Sequence, residues 1–247
     1  MIKIVLFLFL IGHVTGDFYL QSDELATDKN ESFGKLLKHS VIYLFSLIIV
    51  IIPVFSLSLL RWSSIIALAH FAVDLVKFFL KKKTFTKSNL DVWAYFLDQL
   101  VHFLLIIAVT LVIHLNSESI AYIYPLRFLM DRITIDVMQV LSWLLLLLVV
   151  IQPFSITIKK VLYRYRPLTS EEKGGQPNAG AFIGILERLI ILLLLSVGQY
   201  AAIGFVLTAK SIARYNKIAE NPEFSEYYLL GTLLSAMLVI SAYLIIF

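Results

Sequence analysis

Long apolar runs separated by short polar stretches set the pattern of this chain. Seven runs approach or exceed the roughly 20 residues needed to cross a hydrocarbon core. They run from Ile2 to Leu20, Ser40 to Leu60, Ser63 to Leu80, Ala94 to Leu115, Val137 to Ile158, Ala181 to Thr208 and Tyr228 to Phe247. A backbone at membrane depth must satisfy its own hydrogen bonds, so these runs predict helices. The fold class is therefore all-α, a polytopic integral membrane bundle of about seven transmembrane helices. Arg61-Trp62 reads as the tight turn between spans two and three, and Pro53 and Pro153 predict kinks in spans two and five. The first run, with Lys3 before it and Val14-Thr15-Gly16 after it, has features of a signal peptide. Apolar residues resume at Phe18-Tyr19-Leu20, so it is read as a retained span. The pattern divides into a five-helix membrane core (1–160), a cytoplasmic loop (161–180) with Gly174-Gly175 and Pro177, and a two-helix segment (181–247).

Composition supports lipid as the solvent. Of 247 residues, 60% are hydrophobic and 15% charged, against about 25% charged in soluble domains. There is no cysteine, which excludes disulfides, thiolate metal sites and cysteine nucleophiles. The net charge of +4 is gathered in short loops, a mark of membrane topology rather than of a nucleic-acid partner. Lys29, Lys35, Lys38, Lys81, Lys82, Lys83, Lys87, Lys159, Lys160, Arg164, Arg166 and Lys173 fall on one side of a seven-span chain. Lys3, Arg61, Arg127, Arg132, Lys210, Arg214 and Lys217 fall on the other. The positive-inside rule then places the amino terminus outside and the carboxyl terminus in the cytoplasm, against the pull of the Lys210–Lys217 cluster.

Ionisable residues inside spans are costly and mark function by default. This chain has a patterned set: His13 and Asp17 in span one, His70 and Asp74 in span three, Asp98 and His102 in span four. Each pair is four residues apart, so each lies on one helix face, one turn apart. At about 1.5 Å per residue, each Asp lies roughly 6–9 Å and each His roughly 12–15 Å from the cytoplasmic end. The order inverts in the ascending span four, as one layered site shared by three helices requires. The set predicts a divalent metal held by His13, Asp17, His70, Asp74, Asp98 and His102. Zn is the first expectation, with Mn, Fe or Co also suited to N/O ligands. Six ligands exceed the need of one Zn, so either some support the others or two metals bind. Gln21, His39 and Lys77 are expected as supporting partners, with His39 and Tyr43 at the mouth. Glu187-Arg188 reads as structural or interhelical pairing, and His114 as interfacial.

At these residues the chain resembles a bacterial membrane-protein family known as domain of unknown function 3307. The resemblance rests on Gly12-His13, Gly16-Asp17-Phe18 and Gln21, then His70-Phe71, Asp74 and Lys77, then Asp98-Gln99 and His102. It covers about the first 105 residues. Leu186-Glu187-Arg188, Ala209-Lys210-Ser211 and Gly231-Thr232-Leu233-Leu234 resemble the tail of longer members. The resemblance implies a bacterial cytoplasmic membrane and carries no activity with it.

Three functions follow in order of expectation. The first is a metal-dependent hydrolase of a lipid or lipid-linked substrate at the inner leaflet, with Asp17, Asp74 or Asp98 as general base. The second is a divalent-cation or proton transporter or channel. The third is a non-catalytic membrane partner whose His/Asp set only packs helices. The outer halves of the site helices are apolar, at Ile4 to Leu8 and at Leu104 to Ala108, which disfavours conduction. Membrane lipid is the expected partner, and nothing in the sequence fixes an oligomeric state.

Overall fold

A computed structural model describes residues 1–84, 88–116, 118, 120–130, 132, 135–167 and 179–247, with backbone alone at 81–84, 88–91, 129 and 130. Lys87, Lys173, Gly174, Gly175 and Pro177 lie outside the described residues, as do the side chains of Lys81, Lys82 and Lys83. Among the described residues, seven helical segments are long and apolar enough to cross a membrane: Ile2–Tyr19, Phe33–Val54, Leu57–Leu80, Val92–Leu115, Val137–Tyr165, Ala179–Ser196 and Pro222–Ile246. The chain is a multi-pass, all-α membrane protein. It divides into two compact units, Met1–Leu145 and Leu146–Phe247.

The first unit begins with α1 (Ile2–Val14), which continues into a π-helical turn at Thr15–Tyr19. The short α2 (Asp23–Asp28) follows, with Ser22 accepting from the Leu25 N–H at its start. Next come α3 (Phe33–Ile51), α4 (Leu57–Thr84), α5 (Ser88–Leu115) and the short α6 (Tyr124–Met130). Helix α1 packs on α3 and α5, and α4 packs on α3 and α5. Their shared core contains Val5, Leu8, Phe9, Leu47, Ile51, Ile66 and Ile106, all buried.

The turn between spans two and three differs from the expectation. Helix α3 starts earlier, at Phe33, and ends in a tight 3-10 turn at Ile52–Val54. Pro53 ends the helix there rather than kinking it, since it has no N–H to donate. The reversal lies at Phe55-Ser56, where the Ser56 hydroxyl accepts from the Leu59 N–H (3.1 Å). Arg61 and Trp62 are inside α4, tied to Glu118 at 3.3 and 2.9 Å.

In the second unit, α7 (Val137–Ile151), which starts in the first, breaks before α8 (Pro153–Leu162), where a kink was expected. The break strands carbonyls, and Arg188 donates to two of them, Val150 O (2.8 Å) and Ile151 O (3.4 Å). The sixth run is two helices rather than one: α9 (Ala179–Ser196) and α10 (Tyr200–Ile212). Gly198, at φ +70°, stops α9. The Gln199 N–H reaches Leu194 O (2.8 Å) and the Gly198 N–H reaches Leu195 O (3.1 Å), the paired bonds of a Schellman stop. Helix α10 then folds back along α9, because Lys210 near its end pairs with Glu187 midway along α9. The same ammonium bonds Thr232 (3.1 Å) in α12 (Pro222–Ile246), which follows the short α11 (Tyr215–Glu220). Helix α12 therefore runs in the same sense as α9. The sequence count missed this return. Lys210, Arg214 and Lys217 face the end where α9 begins, and the carboxyl terminus stands at the opposite end.

Candidate metal centre

The centre is built where α1 lies unusually close to α3. A Cβ at Gly16 would stand 2.6 Å from Ser46 Oγ and 2.9 Å from Tyr43 Cδ2. At Gly12 it would stand 2.9 Å from both Leu47 Cδ2 and Val50 Cγ2. Small residues four apart let two backbones meet in this way. The Ser46 hydroxyl seals the contact by donating to Gly12 O (2.8 Å). The π turn that follows widens α1 by one residue per turn, and Thr15 Oγ donates back to Ile11 O (2.8 Å). From this turn Asp17 reaches His39 of α3 and His70 of α4.

Four helices bring the site together. His39 Nε2 stands 3.1 Å from Asp17 Oδ1 and 3.5 Å from Asp74 Oδ2. His70 Nε2 stands 3.3 Å from the same Asp17 oxygen. The His70 ring is stacked between Tyr43 (centroids 3.8 Å apart) and His102 (4.1 Å). His102 Nε2 is 3.1 Å from Asp98 Oδ1. The Gln99 amide donates to both Asp17 Oδ2 and Asp98 Oδ2 at 3.3 Å, tying α5 to α1. His13 is fully engaged: Tyr43 O–H donates to its Nδ1 (3.1 Å), and its Nε2–H donates to Gln99 Oε1 (3.4 Å).

Two ammonium groups neutralise two of the three carboxylates. Lys29 bonds Asp74 Oδ2 (3.0 Å) and Gln21 Oε1 (3.4 Å). Lys77 bridges Asp74 Oδ1 and Asp98 Oδ1, the latter at 2.7 Å. Among the described residues, no ammonium touches Asp17. The imidazoles of His39, His70 and His102 are at most 2% exposed. Their approaches to the carboxylates are off the axis of any ring N–H. Both ring nitrogens of each thus lack a hydrogen-bond partner, as does Asp17 Oδ1.

Buried polar atoms are ordinarily paired, so three imidazoles and a carboxylate oxygen that complete no hydrogen bond fit a cation. Among the described residues, three groups each have their ligand atoms within 4.8 Å of one another: His13·Asp17·His70, His39·His70·Asp74 and Asp74·Asp98·His102. All six residues of the patterned set converge. A family model described as "Protein of unknown function (DUF3307)" matches residues 5–130, a little over half of the chain. The chain belongs to this family. The DUF3307 match contains every residue of the cluster, from His13 to His102, and ends before the second unit. No curated protein and no solved structure matches the chain.

The DUF3307 cluster also includes groups that spacing did not reveal. His39, expected at the mouth, is at its centre. Lys29, counted as a loop charge, is drawn in by α2. Tyr43 and Gln99 hold His13. A polar amide beside an intramembrane Asp was a legible signal for Gln99; no local pattern pointed to Lys29. His114 is exposed at the end of α5, outside the cluster.

Proposed function

We propose that this protein binds a divalent cation at Asp17, His39 and His70 and uses it as a membrane-embedded hydrolase. The observation that carries the reading is Asp17 itself: a buried carboxylate that no ammonium among the described residues touches, facing two imidazoles whose ring nitrogens complete no hydrogen bond. Two ligands of a tetrahedral zinc with bonds of about 2.0–2.1 Å stand about 3.3 Å apart. The spacings of 3.1 and 3.3 Å from Asp17 Oδ1 to His39 Nε2 and His70 Nε2 match two such edges, and His39 and His70 also have ligand atoms within 4.8 Å of each other. Asp17, His39 and His70 would hold the cation, and three protein ligands are the number that catalytic rather than structural zinc takes. A bound cation there supplies Lewis-acid polarisation of a carbonyl or phosphoryl oxygen and acidifies water.

The chain's own groups divide the remaining work. Asp98, the most exposed of the three carboxylates at 13%, is one amide group from Asp17 and serves as proton acceptor. Gln99 and Tyr43 fix His13, which braces α1 against α3 and α5. Beyond the imidazoles, Leu8, Phe9, Ile66 and Ile106 form a buried apolar layer. That layer supports an enzyme open at the carboxylate end over a conducting pathway. The substrate is a lipid or lipid-linked ester, amide or phosphodiester in the inner leaflet of a bacterial cytoplasmic membrane. The cation-rich ends face the cytoplasm and the amino terminus lies outside. With the α10 return, the carboxyl terminus lies outside as well.

Elemental analysis of protein purified without chelator tests the cation. Retention of zinc or another divalent ion is expected, with Asp17→Asn and His70→Ala lowering occupancy at least tenfold. Absence of any such ion, before and after reconstitution, would sink the metal reading. Incubation with bacterial inner-membrane lipids tests the hydrolase: a chelator-sensitive cleavage product is expected.

A further inference from the structure

Resting on the cation reading above, the geometry points to a second, latent divalent-metal position at Asp74, Asp98 and His102, held closed by the ammonium of Lys77. The three residues offer ligand atoms within 4.8 Å of one another, and two are carboxylates suited to a second cation. His102 is 2% exposed, and neither of its ring nitrogens has a hydrogen-bond partner. Its Nε2 is 3.1 Å from Asp98 Oδ1, again close to the edge of a metal's coordination shell. The position lies beside the first one, since His102 is stacked on His70.

What distinguishes the two positions is charge. Among the described residues no ammonium touches Asp17, whereas Lys77 bonds both Asp74 Oδ1 and Asp98 Oδ1 and Lys29 bonds Asp74 Oδ2. Lys77 and Lys29 together already supply the two positive charges that a second divalent metal would bring. A divalent ion entering beside them would face Lys77 at close range with no additional anion to offset the repulsion. Among the described residues, the Asp17 position therefore differs from the Asp74·Asp98·His102 position in having no ammonium on it. Lys77 takes the part of the second cation of a two-metal hydrolase. It stabilises an oxyanion developing on the substrate, a role that favours ester and phosphodiester substrates, whose transition states gather charge on oxygen. Its side chain is 31% exposed, against 10% for Lys29 and 13% for Asp98, so it is the more accessible charge for a substrate to meet.

The experiment is metal stoichiometry on the full-length protein, read by isothermal titration with zinc and by elemental analysis after desalting. Wild type is expected to bind one zinc per chain. Lys77→Met and Lys77→Gln, which remove the charge and keep the length, are expected to bind two. Lys77→Arg, which keeps the charge, is expected to stay at one. Lys77→Met combined with Asp98→Asn should return to one. Two zinc ions on wild type, or one on both neutral variants when these melt as folded proteins, overturns the inference. Two variants of unequal polarity guard against the failure of either to fold. No zinc on any form is the separate failure of the metal reading itself.

Discussion

Gly16 sits where two helices meet with no space for a methyl group. Gly16→Ala places a Cβ 2.6 Å from Ser46 Oγ and 2.9 Å from the Tyr43 ring. Either neighbour must move, and each holds something: Ser46 the Gly12 carbonyl, Tyr43 the His13 imidazole. The expected cost is about 1–3 kcal/mol of stability, with weaker metal retention. Gly204→Ala, with nothing within 4 Å, should change stability by less than ~1 kcal/mol. Denaturation in mixed detergent micelles measures both. At the opposite end of α4, hydrogen bonds from Ser58 and Trp62 hold the Glu118 carboxyl below its ordinary range, with Arg61 adding charge. Such a group stabilises the fold fully above its unfolded pKa of ~4.3 and loses that contribution as pH falls through the lower folded value. Glu118→Gln should therefore lower stability at neutral pH and flatten its decline in acid. The residues legible in advance were those whose partners are local: each His and Asp four apart declares a helix face by itself. Tyr43 and Gln99 were marked by their neighbours, but their bonds to His13, 30 and 86 residues away, and that of Lys29 to Asp74, 45 residues away, are held in no short window.

Among the elements, hydropathy found each long apolar segment and misread two of the joints. The run through Pro53 and Phe55 stays apolar across a reversal, and the run through Gly198 stays apolar across a helical hairpin. Hydropathy registers depth in the membrane and is blind to direction, so a return at constant depth leaves no trace. The stop signals were present, in Pro53 and in Gly198 followed by a polar Gln199, but each was a single residue within a long apolar stretch. The α9–α10 hairpin has a direct test, since the chain has no native cysteine. Cysteines at Lys159 and Lys217 should react with an impermeant thiol reagent from one face, and cysteines at Gln199 and Phe247 from the other. Labelling of Lys217 and Gln199 positions from the same face would show that α10 does not return. Gly198→Ala, forced to φ +70°, should cost about 1 kcal/mol.

At the scale of the whole molecule, the polar cluster and the apolar layer beside it belong to one helix group. Leu8 and Ile106 are 5% and 0% exposed in the same core that contains Ile66 and Phe9. Cysteines at Leu8 or Ile106 should be unreactive from either face, whereas one at Asp98 should react from the cytoplasmic face. Labelling at Leu8 from outside, blocked by a divalent cation, would make transport the better reading. Reconstituted in sealed vesicles with a pH-sensitive dye inside, the protein should leave an imposed proton gradient to decay no faster than in empty vesicles. The layer of Leu8, Phe9, Ile66 and Ile106 then has a meaning in bioenergetic terms. A cluster of imidazoles and carboxylates sunk in an energised membrane is half of a proton wire, and a short circuit through it would drain the cell's respiratory work. Four apolar side chains keep the other half from existing, so a polar cluster sunk in the membrane need not become a leak.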